Sequence, residues 1–136
     1  EPASSDHPNQ YALGDDGGAD WTPPQSTGLL GQTMTPLVLG DDRVLSVYRR
    51  MDEPGLWANL SHLEGDRWVN DACQPLWGHQ SVEGITRMDG SAAAMFQTLR
   101  FGAPSLTRLA DGTIYLAFWC YEDCVSIIRW FKFAVD

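Results

Sequence analysis

Residues 101–136 read FGAPSLTRLADGTIYLAFWCYEDCVSIIRWFKFAVD, and this stretch decides the fold. Three runs rich in β-branched and aromatic residues, 105–109, 113–119 and 125–133, are separated by Ala110-Asp111-Gly112 and by residues 120–124, the spacing of a three-stranded meander. Asp-Gly at 111–112 is a tight-turn signal. The chain says the same thing twice, because LGDDRVLSVY at 39–48 lies over LADGTIYLAF at 109–118 at a constant offset of 70 residues. A repeated meander predicts a repeat architecture.

Upstream of this stretch the same signals predict four strands in succession, at 35–39, 43–49, 55–63 and 68–77, with turns at 40–42, 50–54 and 64–67. Residues 21–30 read as an edge strand, since Pro23 and Pro24 cannot donate to a central ladder. Residues 1–10 read as an N-terminal arm. Residues 78–100 have no clean period and form a long excursion, within which 92–99 suits a short helix or another strand. No segment sustains a period near 3.6, so the expected class is all-β.

With 136 residues the chain has the size of one ordinary domain. It holds no long apolar run, so no membrane partner is expected. A net charge of −9 argues against nucleic acid, whose phosphates would be repelled. The sequence starts without an initiator Met or a signal-peptide pattern, so a processed form or a piece of something longer is expected. The compartment stays open, with secreted and periplasmic locations among the options. Cys73, Cys120 and Cys124 are an odd set, and Cys-x-x-x-Cys without third and fourth ligands is not a zinc pattern, so neither metal nor cofactor is expected. A Cys120 to Cys124 disulfide and a buried thiol both stay open. Asn59-Leu60-Ser61 matches a glycosylation sequon but falls within an expected strand.

The segment GDDGGADW at 14–21 resembles the Asp-box of sialidase-type propellers, roughly Ser-x-Asp-x-Gly-x-Thr-Trp: Asp16, Gly18 and Trp21 match, while Gly14 and Asp20 replace the Ser and Thr. A second copy, SHLEGDRW at 61–68, keeps Ser61, Gly65 and Trp68 but has Leu63 where the Asp belongs. The two Trp residues stand 47 apart, a reasonable blade length for four short strands. The resemblance covers about residues 11–136 and implies β-propeller blades of four-stranded antiparallel meanders, six-bladed when complete. Residues 11–30 would then end one blade with its Asp-box, 31–77 would form a complete blade, and 101–136 would supply the first three strands of the closing blade. The missing blades would come from the rest of a longer chain or from homo-oligomerisation. In the box itself the Asp caps backbone donors, Gly permits a positive φ, and Trp21 and Trp68 are expected to pack between sheets.

The resemblance also implies a central mouth, lined here by residues 32–34, 101–105, 49–53 and 119–123, with the Asp-box turns on the opposite face. Gln32, Arg49 and Arg50 become candidates for binding an acidic sugar, a guanidinium pair being suited to a carboxylate or sulfate. Trp119 and Tyr121 become stacking faces, and Glu122 and Asp123 candidate catalytic carboxylates. The competing readings are that the arginines pair with Asp52 or Glu53 and that the acidic turn is merely solvated. Where a sialidase carries its late Tyr nucleophile this chain has GAPS at 102–105, and the Arg triad is incomplete. Of the histidines, His7 falls in the arm, His62 on a box turn, and only His79 near a mouth. The expected function is recognition of a glycan, with hydrolysis if the carboxylates flank the bond; the alternative is a non-catalytic carbohydrate- or protein-binding module.

Overall fold

A computed structural model describes residues 7–80 and 99–135. Nine strands and no helix occur among these residues, in three antiparallel sheets. The first sheet pairs β1 (Gln10–Tyr11) with β2 (Gln25–Ser26). The second is a meander of β3 (Gly31–Gly40), β4 (Arg43–Arg50), β5 (Leu56–Glu64) and β6 (Arg67–Trp77). The third is a meander of β7 (Phe101–Arg108), β8 (Ile114–Glu122) and β9 (Val125–Phe133). The all-β class and both meanders match the expectation. Residues 81–98 of the expected 78–100 excursion, including most of the 92–99 segment, and the arm residues 1–6 lie outside the described residues.

Strand ends differ from the expected ones for a shared reason. β3 and β7 begin four residues earlier, through a bulge at Thr33 and at Ala103, each with a positive φ (49° and 47°). Ahead of each bulge the ladder is already formed, pairing Gln32 with Arg49 and Gly102 with Trp119. β8 correspondingly runs to Glu122, so Trp119, Tyr121 and Glu122 are strand residues and the turn shrinks to Asp123 and Cys124. Residues 21–30 contribute only Gln25 and Ser26 to a ladder, as the two prolines dictate. Asn9 is no part of a loose arm. It is buried, exchanges backbone hydrogen bonds with Leu29 and Thr27, and its side chain donates to the Gly31 carbonyl.

Period-two alternation explains the layering. On β8, Ile114, Leu116, Phe118 and Cys120 are buried against the middle sheet, where Val47 and Leu56 meet them together with Phe101. On β4 the residues between these inward positions, Ser46 and Tyr48, are buried as well, because the first sheet covers that side. Asn70 Nδ2 donates to the Thr27 carbonyl, and the Met51 N–H donates to the Leu30 carbonyl. The central strands of the middle sheet, β4 and β5, are therefore covered on both faces, while β6 stays largely exposed. β3 and β7 run side by side in the same direction: Thr35 Oγ1 donates to the Pro104 carbonyl (2.6 Å) and Arg108 to the Leu39 carbonyl (2.8 Å).

Three of the expected structural devices can be located. Asp16 accepts from the backbone N–H groups of Ala19 and Asp20 (3.0 Å each), which lowers its pKa, and Gly18 takes a φ of 92°. Trp68 lies half-buried against Tyr11, centroids 5.4 Å apart, between the first and middle sheets. Trp21 departs from expectation: it is 64% exposed, its indole folding back on the Gly18 carbonyl, because the short first sheet offers nothing for it to pack between. The cysteines are all free, with Cys120 buried in the core and Cys124 exposed on the turn, so the disulfide alternative falls away. Asn59 is buried and donates to Ser61 and Asn70, which ties up the sequon side chain inside the sheet.

Candidate functional site

The antiparallel registers gather one end of every strand at one edge of the molecule. Gln32, Arg49, Leu56 and Trp77 lie at that end of the middle sheet, and Gly102, Trp119, Glu122 and Val125 at that end of the third. The turns at Asp42 and Gly65 lie at the other end, where Leu63 N–H meets the Asp42 carbonyl. All seven candidate residues thus share one end, but they divide into separate environments.

Arg49 and Arg50 point to opposite faces, since both belong to β4 and neighbouring strand residues alternate. A single guanidinium pair cannot form. Arg49 is 4% exposed and donates to Gln32 Oε1 (3.0 Å). Its Nη1 and the Trp119 indole Nε1 each stand 3.5 Å from where a Gly102 side chain would begin. Gln32, Arg49 and Trp119 are therefore neighbours around Gly102. Arg50 instead bonds Asp52 (2.7 Å) and Glu53 (2.8 Å) and lies over the Trp57 ring at 4.5 Å. The hydrogen bond from Arg50 holds Asp52 below the usual carboxylate range. Tyr121 carries the Arg100 guanidinium over its ring at 5.0 Å.

Glu122 and Asp123 border an open cleft of about 400 Å³, completed by Trp77, Gly78, His79, Gln80 and Arg129. Trp77 wedges between the sheets, its ring 5.1 Å from Phe101 and 5.6 Å from Phe118, and its Nε1 donates to Glu122 Oε1 at 2.8 Å. Arg129 grips both oxygens of Glu122, Nε on Oε1 (2.7 Å) and Nη2 on Oε2 (2.6 Å). The guanidinium, helped by the indole N–H, holds the Glu122 carboxyl below its ordinary range. Asp123 is exposed on the two-residue turn, where it and Cys124 both have positive φ (48° and 64°).

Gly55 lets the β4–β5 loop close against this cleft. Its φ is 102°, and a Cβ there would lie 2.4 Å from the Trp77 carbonyl and 2.8 Å from the His79 nitrogen. His79 reaches the cleft, whereas His62 lies in β5 and bonds Asp71 at 2.9 Å rather than standing on a turn. Trp77 and Arg129 escape the sequence reading. Their signal is hairpin register: a two-residue turn sets Glu122 opposite Val125 and so puts Arg129 on the face of Phe118, Cys120 and Glu122. A five-residue turn at 120–124 hides that relation.

Chemically, the cleft offers a fixed carboxylate, a guanidinium with N–H groups to spare, a second carboxylate and an aromatic edge. Among the described residues no group of three or more His, Cys, Asp or Glu is arranged to hold a metal ion. No family model matches the chain, and neither a curated protein nor a solved structure matches it.

Proposed function

We propose that the chain forms about two blades' worth of a sialidase-like Asp-box propeller that binds a glycan at the cleft end of its sheets without hydrolysing it. The observation that carries the binding reading is the clasp of Glu122 by Trp77 and Arg129, which fixes polar groups beside an aromatic edge in an open cleft of small-ligand size. A carboxyl held ionised by an arginine cannot be the general acid, and with both oxygens bonded to Arg129 it is poorly placed to act as nucleophile or base, which supports binding over hydrolysis.

The propeller part of the reading is supported by the repeat. A step of 70 residues carries Val44, Ser46 and Tyr48 onto Ile114, Leu116 and Phe118, and each set faces the preceding sheet. The same step carries Leu45 and Val47, buried against the third sheet, onto Tyr115 and Ala117. The third sheet thus presents outward the face that the middle sheet buries, with Ile128 68% and Trp130 60% exposed on it. A further meander, from a longer chain or another copy, covers that face in this reading.

A glycan array run alongside a panel of fluorogenic glycosides tests both parts. Array binding without fluorophore release is expected. Fluorophore release that Glu122→Gln abolishes would overturn the non-hydrolytic part, and a blank array would overturn the glycan.

A further inference from the structure

We infer that the cleft between Trp77 and the β8–β9 turn selects uncharged, hydroxyl-rich sugars and discriminates against acidic ones. This rests on the glycan reading above. Among the described residues the charged lining of the cleft is Glu122, Asp123 and Arg129, with His79 beside them, so two carboxylates face one guanidinium. That guanidinium is already spoken for: Arg129 spends Nε and Nη2 on the two Glu122 oxygens. An anion entering the cleft would meet a neutralised arginine and the exposed carboxylate of Asp123. Among the described residues at this end, Arg50 reaches outward but is held by both Asp52 and Glu53. Arg49 is buried on Gln32, and Arg100 lies over Tyr121 outside the cleft lining.

What the cleft does supply suits hydroxyl groups, which donate and accept at once. A guanidinium has five N–H donors, so Arg129 keeps donors beyond its two bonds to Glu122 and its contact with Cys120. The acceptor positions of Glu122 are taken up by Trp77, Arg129 and Cys120, so the acceptors open to a ligand are those of Asp123. Adjacent hydroxyls of a sugar can accept from Arg129 while donating to Asp123. The Trp77 bond across the sheets holds this set in place before any ligand arrives, which reduces the ordering cost of binding.

The test uses the full chain and matched probes, lactose against sialyllactose and oligogalactose against oligogalacturonate, titrated calorimetrically at low and high salt. The neutral member of each pair is expected to bind about tenfold tighter at low salt, with the gap narrowing at high salt as the like-charge repulsion is screened. Asp123→Asn, a change on an exposed turn, should narrow the gap at low salt by improving the acidic probe. Equal or tighter binding of the acidic probes, or a gap that Asp123→Asn leaves untouched, overturns the inference while leaving the glycan reading standing. Binding of neither set overturns both.

Discussion

Trp77 and Glu122, 45 positions apart on different sheets, are joined by a 2.8 Å hydrogen bond from the indole to the carboxylate. The bond ties the end of β6 to the end of β8, and the same indole packs on Phe101 and Phe118. Trp77→Ala should therefore cost about 3–5 kcal/mol, as for other large aromatic truncations. Trp21→Ala, at a side chain 64% exposed, should change stability by no more than about 0.5 kcal/mol. Urea unfolding of the two variants checks the contrast, and equal losses would contradict it.

Glu122 also makes stability depend on pH. Its folded pKa lies below the ordinary value of 4.5 because of Arg129, so its contribution is complete above about pH 4.5 and is lost as pH falls through the folded value. Melting temperatures measured from about pH 7 down to about pH 3 should fall less steeply for Glu122→Gln than for the parent chain. Some slope should persist, since Asp52 and Asp111 are lowered too.

The β8–β9 turn holds two non-glycine residues in the left-handed region. Cys124→Gly removes a side chain that opposes φ near 64°, and the gain should outweigh the added freedom of the unfolded chain by about 0.5–1 kcal/mol. Chemical denaturation of the variant reads the difference directly.

Thiol chemistry gives an independent check on the register of β8. Cys73 and Cys124 are exposed and should react with an aromatic disulfide reagent in the native state, whereas Cys120 should react only after unfolding. Burial pushes the Cys120 thiol up, which slows it further. Three fast thiols would mean that β8 presents the wrong face to the core.

How far the sequence foretold these features depended on whether the signal was local. Turn residues such as Asp111 and Gly112, and the alternation of Ile114, Leu116 and Phe118, are written in adjacent positions, so the meanders were legible. Asp16 closed its turn as its spacing promised. Trp21 misled because burial depends on what lies opposite, and only two residues of 21–30 joined a strand. Arg49 and Arg50 looked like a pair until the strand was seen to continue through both, which turned them apart. The Trp77 and Arg129 clasp of Glu122 depended on a turn length and a contact between sheets, neither of which a single run of residues encodes.

The 70-residue step that relates the middle sheet to the third has a direction. Each meander turns one kind of face forward and another backward: Leu45 and Val47 look ahead, Ile114, Leu116 and Phe118 look behind. A stack built this way has a head and a tail, so two copies that meet head to tail cannot be related by a two-fold axis. Such an association is heterologous, and the rotation per step alone decides whether it closes on itself or grows without limit.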